Sequence, residues 1–257
     1  MELQIALISL ATGVVTTILT VFYAPAWKGR VDARRERRDR SERLIVQYGE
    51  PLARAAFDLQ SRLYNIIGRN PRTVRERPEL IDDSTLWLFG QYLAWVEIFR
   101  REVQLMDLGE IRRTAELQQR LYEITEVLSS GRMDPVFRIL RPEQRAIGEI
   151  MVVDRQIAGQ SRSDSMGFAE FRARQSDPAF NLWFTGLAEN MRILRENGAD
   201  GALRGVCLQR ELIRLIDFLD PDRIRFPNVK ERGMLSLPSN APDGIVAKQE
   251  RNASRSA

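Results

Sequence analysis

The residues best placed to do chemistry lie along one strip of an apolar segment, residues 82–109. Glu97 and Arg101 are four positions apart, and Gln104 follows three positions later. Spacings of three and four bring side chains to one face of a helix. A carboxylate, a guanidinium and an amide on one face, with Arg100 beside them, could bind an anionic or amphipathic ligand. Glu97, Arg100, Arg101 and Gln104 therefore form the candidate polar cluster.

A structural role for the same strip is favoured over a ligand site. Gly90 and Ala94 extend the strip towards its amino-terminal end. Burying polar groups on an apolar helix costs free energy unless those groups are paired. We therefore expect a close helix–helix crossing at the two small residues, with the carboxylate and guanidinium forming an ion pair. A polar pocket, to which Arg62 or Arg145 would contribute, is the alternative.

The composition excludes several classes of reaction. The chain contains no histidine, which removes imidazole acid–base chemistry, histidine-activated nucleophiles and the commonest zinc ligand. Cys207 is the only cysteine, so neither an internal disulfide nor a cysteine metal cluster can form. Phosphate-binding glycine loops, HExxH and EF-hand patterns are absent as well. We therefore expect no catalysis, no cofactor and no metal.

The amino-terminal segment predicts a membrane anchor over residues 1–27. Residues 3–27, LQIALISLATGVVTTILTVFYAPAW, contain no charged side chain. About 20 apolar residues at about 1.5 Å per residue match a hydrocarbon core of about 30 Å. A cleaved signal peptide is the alternative. It is less favoured because the amino end lacks a basic residue and the apolar run exceeds the usual length of about 7–15 residues.

A basic run, residues 28–43, follows the apolar segment. Its eight basic and four acidic residues account for the net charge of the whole chain, +4. The positive-inside rule then predicts a single-pass cell-membrane protein with its amino terminus outside and its body in the cytoplasm. The membrane-proximal basic residues are Lys28, Arg30, Arg34, Arg35, Arg37 and Arg38.

The same run predicts a juxtamembrane helix over residues 28–48 that attracts anionic lipid headgroups. Interleaved acids and the lack of an aromatic platform argue against nucleic acid as a partner. Small residues on one face of the predicted span would let two copies of the chain associate as a homo-oligomer. That face comprises Ser9, Gly13, Thr16, Thr20 and Ala24.

Residues 49–222 show helical periodicity throughout and predict an all-α cytoplasmic bundle of about six or seven helices. The expected helix starts are Pro51, Asp83 or Ser84, Pro142, and Asp177 followed by Pro178. The last helix is expected to end before Pro221. Residues 223–257 are polar and proline-containing, which predicts a disordered tail. No strand is expected, and Val136–Leu140 is assigned to a loop.

Four phrases also carry a family resemblance. They are YGEPLARAAFDLQSRLYNI, TLWLFGQYLAWVEIFRREVQ, RPEQRAIGEIM and RELIRLIDFLDP. Together they resemble a family of uncharacterised bacterial proteins with one amino-terminal membrane helix and a helical cytoplasmic domain. The resemblance covers most of residues 44–222. It implies the architecture but no activity and no site residues.

The sequence therefore favours a membrane-tethered helical module with an interaction, scaffold or regulatory role, which acts on an unknown protein partner. The alternative is a membrane-bound ligand sensor or enzyme that uses a pocket lined by glutamate and arginine. A polar cavity around Glu97 would favour the second function, and a packed crossing would favour the first.

Overall fold

The structure is a computed structural model that describes residues 47–68, 78–104, 112–157, 159–197, 202–226 and 233–254. All of these residues belong to one compact unit of the chain, residues 45–257. Most of them are helical, which confirms the predicted helical class. A small two-stranded sheet is the departure from an all-α fold.

The secondary structure follows the chain in a simple order. Helix α1 covers residues 47–67, and it is followed by α2, Pro78–Gln104, α3, Arg112–Ser129, and α4, Arg141–Met151. Strands β1, Val152–Ile157, and β2, Gln160–Ser165, come next. The chain continues with α5, Phe168–Arg174, α6, Pro178–Asn181, a 3-10 turn, Leu182–Phe184, α7, Thr185–Asn197, α8, Leu203–Leu219, and α9, Asp243–Ser254.

Several helix ends lie where the sequence predicts them. Pro142 lies in the first turn of α4, where its missing N–H is no loss. Asp177 caps α6 by accepting a hydrogen bond of 2.9 Å from the backbone N–H of Ala179. Helix α8 ends two residues before Pro221. These ends depend on local chemistry, which is why the sequence alone is sufficient to locate them.

Two other predicted helix starts are wrong. The helix continues through Gly49 and Pro51 rather than beginning at the proline. Helix α2 begins at Pro78, so the predicted cap Ser84 lies inside it. The hydroxyl of Ser84 donates back to the carbonyl of Ile81 at 3.0 Å, which satisfies it within the helix without ending the helix.

The β-hairpin corrects the expectation that the chain contains no strand. Strands β1 and β2 pair antiparallel, with Val152 opposite Ser165 and Ile157 opposite Gln160. Gly159 lies in the turn with φ of +77°, a conformation that side chains disfavour and tight hairpins require. Strand β2 is entirely polar and half of its residues are exposed, so it shows none of the apolar alternation that reveals a strand in sequence.

The carboxyl-terminal segment corrects the predicted disordered tail. Residues 233–254 are described, and α9 packs on α8 rather than being free in solution. Gln249 and Asn252 are buried there. Their partners on α8 are polar as well, so the segment carries little of the apolar pattern from which packing is predicted. The helical body therefore extends well beyond residue 222.

Helix α2 is the central element of the core. It packs against α4, both strands, α5 and α7, while α8 packs against α3. The side chains of Phe89, Tyr92 and Phe99 on α2 are buried. This surrounding protein explains why α2 is apolar on nearly every side, as expected for a buried helix.

Within the described residues, no helix has both the length and the apolar character needed to cross a membrane. This finding contradicts the predicted single-pass membrane localisation with a cytoplasmic body, and that prediction is corrected. The apolar run over residues 3–27, on which it was based, lies outside the described residues. Helix α2 has the length, but it carries charged side chains and its apolar surface is covered by protein.

Candidate functional site

Three of the four residues of the candidate polar cluster, Glu97, Arg100 and Arg101, form an ion-pair group on α2. Glu97 is only 4 % exposed and accepts hydrogen bonds from two arginines. Arg100 donates from Nε to Oε2 at 2.7 Å and from Nη2 to Oε1 at 2.6 Å. Arg101 donates from Nε to Oε1 at 2.7 Å. Burial by itself would raise the pKa of Glu97, but the two guanidiniums outweigh that effect and hold this pKa below its usual value.

A close helix crossing covers the same face of α2. A Cβ atom on Gly148 of α4 would lie 2.7 Å from the carbonyl oxygen of Leu93 and 3.1 Å from Cβ of Glu97. A Cβ atom on Gly90 would lie 3.0 Å from Cε of Met151, and Ala94 is fully buried. The strip around Glu97 is therefore filled by a neighbouring helix, which favours the packed crossing over a ligand pocket.

Only some of the other predicted site residues lie in the described part of the chain. The side chain of Gln104 lies outside the described residues. The basic run and the small-residue face, residues 28–43 and 9–24, lie outside them as well. Arg145 pairs with the exposed Glu149 at 3.0 Å. The structure therefore brings Glu97, Arg100 and Arg101 together and does not add Arg145 to them.

A cavity of about 360 Å³ lies between α1 and α2, away from the candidate polar cluster. We call it the α1/α2 groove. Four polar side chains of α1 line it, and the facing side of α2 is largely apolar. The lining residues are Phe57, Asp58, Ser61, Arg62, Asn65 and Ile66 on α1, and Ile81, Ser84, Trp87 and Leu88 on α2.

Two opposite charges in the groove are half-buried and unpaired. Within the described part of the chain, neither Asp58 nor Arg62 forms an ion pair or a side-chain hydrogen bond. Burial raises the pKa of Asp58, and the charge of Arg54 offsets this only in part. Burial lowers the pKa of the Arg62 guanidinium. Both side chains have thus lost hydration without gaining a protein partner.

The apolar walls of the groove are fixed by contacts outside it. The indole Nε1 of Trp87 donates to the carbonyl of Met166 at 2.8 Å, and its ring packs edge-on against Phe168. Phe57 stacks on Phe226, with ring centroids 4.5 Å apart. Because these contacts already hold both rings, the groove needs little rearrangement to accept a ligand.

A buried hydrogen-bond chain links the groove to the carboxyl-terminal segment. Gln209 on α8 donates to the carbonyl of Gly233 at 2.8 Å and accepts from the backbone N–H of Leu235 at 3.1 Å. The same amide donates to Gln60 at 3.2 Å, and Gln60 donates to the hydroxyl of Ser61 in the groove at 2.8 Å. Gln209 therefore connects this segment to α1 by hydrogen bonds.

Helix α8 also carries a buried polar network that sequence reasoning did not single out. Glu211 accepts from Arg214, Gln249 and Asn252 at 2.7–2.9 Å. Arg214 also donates to Gln249, to the side chain at 2.9 Å and to the main-chain carbonyl at 2.8 Å. The sequence does contain a sign of this network. Glu211 and Arg214 are charged residues on a helix that is apolar on most sides, and such residues need partners inside the protein. The network docks α9.

Arg204 is the most deeply buried cation of the described residues, with no exposed surface. Its Nη1 donates to the carbonyl of Leu128 at 3.3 Å, and its Nη2 donates to those of Ser130 and Asp134 at 2.8 and 2.6 Å. The backbone N–H of Arg204 donates to the carboxylate of Asp134 at 2.8 Å. The guanidinium thus donates to the carbonyl of Leu128 in the last turn of α3 and to those of Ser130 and Asp134 in the loop that follows. Its role is structural.

No arrangement for metal or thiol chemistry is found in the described ranges. No group of histidine, cysteine or acidic residues within them could hold a metal ion. Cys207 is buried, and burial raises the pKa of its thiol to about 11. Because the thiolate is the reactive form, this side chain is inert near neutral pH. The α1/α2 groove is a cavity of the described residues that could hold a small molecule.

Comparisons with protein-family models, with curated proteins and with solved structures find no match. The family resemblance inferred from the sequence therefore stays a prediction. Any functional conclusion depends on the geometry of the described residues.

Proposed function

We propose that the helical body is a non-catalytic binding module whose α1/α2 groove takes a small amphipathic molecule. The proposal retains the interaction role expected from the sequence and omits the membrane tether. It moves the ligand site from Glu97 to Arg62, which the sequence offered only as a contributor to a pocket.

The proposal is based on two charged side chains in the groove, Asp58 and Arg62, that do not form ion pairs within the described residues. The other half-buried or buried charges discussed above are paired, with Glu97 held by two arginines and Glu211 by three donors. Asp58 and Arg62 have no such partners within the described residues. The charged groups of a ligand would replace the hydrogen bonds to water that the two side chains lose on burial.

The size and lining of the groove fit the same function. A volume of about 360 Å³ is at the lower end of the range for small-molecule sites, about 300–1,000 Å³. Ligand sites are usually apolar with a few polar groups that fix orientation. Here four of the five polar side chains lie on α1, and the aromatic and aliphatic surface comes largely from α2.

A fluorescent amphipathic probe tests the proposal. Anilinonaphthalene sulfonate should bind the full-length protein and brighten, because it has an aromatic body and one anionic end. Ser84→Phe places a ring in the groove and should weaken this binding at least tenfold. The matched control is Gln118→Phe, which adds the same ring at an exposed position on α3. Equal probe binding by the two variants, with unchanged near-ultraviolet circular dichroism, would contradict the proposal.

A further inference from the structure

The two unpaired charges of the groove lie on one face of α1. Asp58 and Arg62 are four residues apart, which brings their Cβ atoms to about 5–6 Å. An acid followed by a base at this spacing commonly forms an ion pair on an exposed helix. Here the two side chains line the same cavity without pairing. Their complement is one molecule that carries both charges close together.

The side chains around the pair define the rest of that molecule. Opposite α1, the groove is walled by Ile81, Trp87 and Leu88, which offer no hydrogen bond to a ligand. Trp87 uses its one polar atom on the carbonyl of Met166, so its ring offers an apolar surface. Apolar ligand surface on this side would be removed from water at no polar cost.

We infer that the groove binds an α-amino acid with an apolar side chain, recognised as its zwitterion. The carboxylate is held by the planar fork of Arg62, which suits a carboxylate better than an ammonium group would. The ammonium group donates to the carboxylate of Asp58. The apolar side chain lies against Trp87, Leu88 and Ile81. This inference rests on the proposed function and assigns the chemistry of its ligand.

Three probes that share a phenyl group but differ in charge test the contribution of each charged group to binding. L-Phenylalanine carries both charges, 3-phenylpropanoate carries only the anion, and 2-phenylethylamine carries only the cation. Isothermal titration of the full-length protein should show L-phenylalanine binding at least tenfold more tightly than either single-charge probe. Each charge-assisted contact is strong enough to account for a factor of that size.

Two variants then assign each charge to its partner. Arg62→Gln should weaken L-phenylalanine and 3-phenylpropanoate about tenfold and leave 2-phenylethylamine unchanged. Asp58→Asn should weaken L-phenylalanine and 2-phenylethylamine about tenfold and leave 3-phenylpropanoate unchanged. The matched controls, Arg145→Gln and Asp154→Asn, alter exposed charges outside the groove and should change none of the three affinities.

The outcomes distinguish this inference from the proposed function. If 3-phenylpropanoate binds as tightly as L-phenylalanine and Asp58→Asn has no effect, the ligand is a simple anion and the zwitterion assignment is wrong. If none of the three probes binds while anilinonaphthalene sulfonate still binds in the groove, the amino-acid class is wrong and the binding function stands. If Ser84→Phe fails to weaken that dye, both are wrong.

Discussion

The candidate polar cluster and the α1/α2 groove contain the same local pattern with opposite outcomes. In both, a carboxylate is followed four residues later by an arginine on one helix. At Glu97, a neighbouring helix crosses at Gly148 and the charges close on one another. At Asp58, the facing helix leaves a cavity of about 360 Å³, and the charges stay apart.

Spacing along a helix does not decide whether a charged pair is bonded within the protein or available to a ligand. What decides it is the packing on the facing side. A close crossing excludes water and makes pairing within the protein the favourable arrangement, whereas a cavity leaves room for a ligand to supply the partner. Three substitutions at packed positions test their contribution to the free energy of unfolding. A fourth experiment tests binding in the α1/α2 groove.

The largest loss of stability is expected at Arg204, whose charged side chain has no exposed surface. Arg204→Met keeps a long apolar side chain but removes the donors to main-chain carbonyls in the last turn of α3 and in the loop after it. Leaving such groups buried and unpaired should lower the free energy of unfolding by about 3–5 kcal/mol. Urea denaturation measures this loss. Arg132→Met, at an exposed position nearby, should change stability by no more than about 0.5 kcal/mol.

A smaller loss of stability is expected where α4 crosses α2 at Gly148, beside the candidate polar cluster. Gly148→Ala would place Cβ 2.7 Å from the carbonyl oxygen of Leu93, so the two helices must separate. We expect a loss of about 1–3 kcal/mol in the free energy of unfolding. The matched control is Gly186→Ala in α7, where nothing lies within 4 Å of the new Cβ. There the better helix propensity of alanine should be neutral or stabilising by up to about 1 kcal/mol.

Similar losses for the two alanine variants would show that the close approach of α2 and α4 is not what holds the candidate polar cluster closed.

The smallest of the three effects is expected at Glu97, and it depends on pH. Glu97→Gln should lower the free energy of unfolding at pH 7 by about 1–2 kcal/mol, because it removes the negative charge and one of the two oxygens that accept from Arg100 and Arg101. The folded-state pKa of Glu97 lies below its ordinary value of 4.5. Its contribution is therefore present above about pH 4.5 and is lost as the pH falls through the lower, folded-state pKa.

The measurement is the difference in unfolding free energy between the wild type and Glu97→Gln at several pH values. That difference should shrink steadily below pH 4.5. A difference that grew as the pH fell would mean that the pKa of Glu97 is raised and that burial outweighs the two arginines.

The parts of the fold that follow from local chemistry could be predicted, and the parts that depend on distant partners could not. Pro142 and Asp177 mark helix starts by their own backbone and side-chain properties. Helix α9 gives no such signal, because it is fixed by Glu211 and Arg214 from almost 40 residues away. Strand β2 is paired and polar, so neither its periodicity nor its composition distinguishes it from a loop.

The candidate site shows the same limit. The sequence identifies the strip at Glu97 because polar residues interrupt an apolar helix there. On α1, the polar residues Asp58 and Arg62 alternate with the apolar stripe and look like an ordinary solvated face. Only the placement of α2 opposite them turns that face into one side of a cavity. Sequence patterns describe one helix at a time, and a groove requires two.

The most direct test of this account separates stability from binding at the open pair. Without ligand, the double variant Asp58→Asn/Arg62→Gln should unfold at the wild-type temperature or up to about 4 °C above it, since neither side chain has a protein partner within the described residues and the substitutions remove two partly dehydrated charges. L-Phenylalanine at tenfold its dissociation constant should stabilise the wild type by about 1.4 kcal/mol and raise its melting temperature by several degrees. The double variant should show no rise. An equal rise in both proteins would contradict the account.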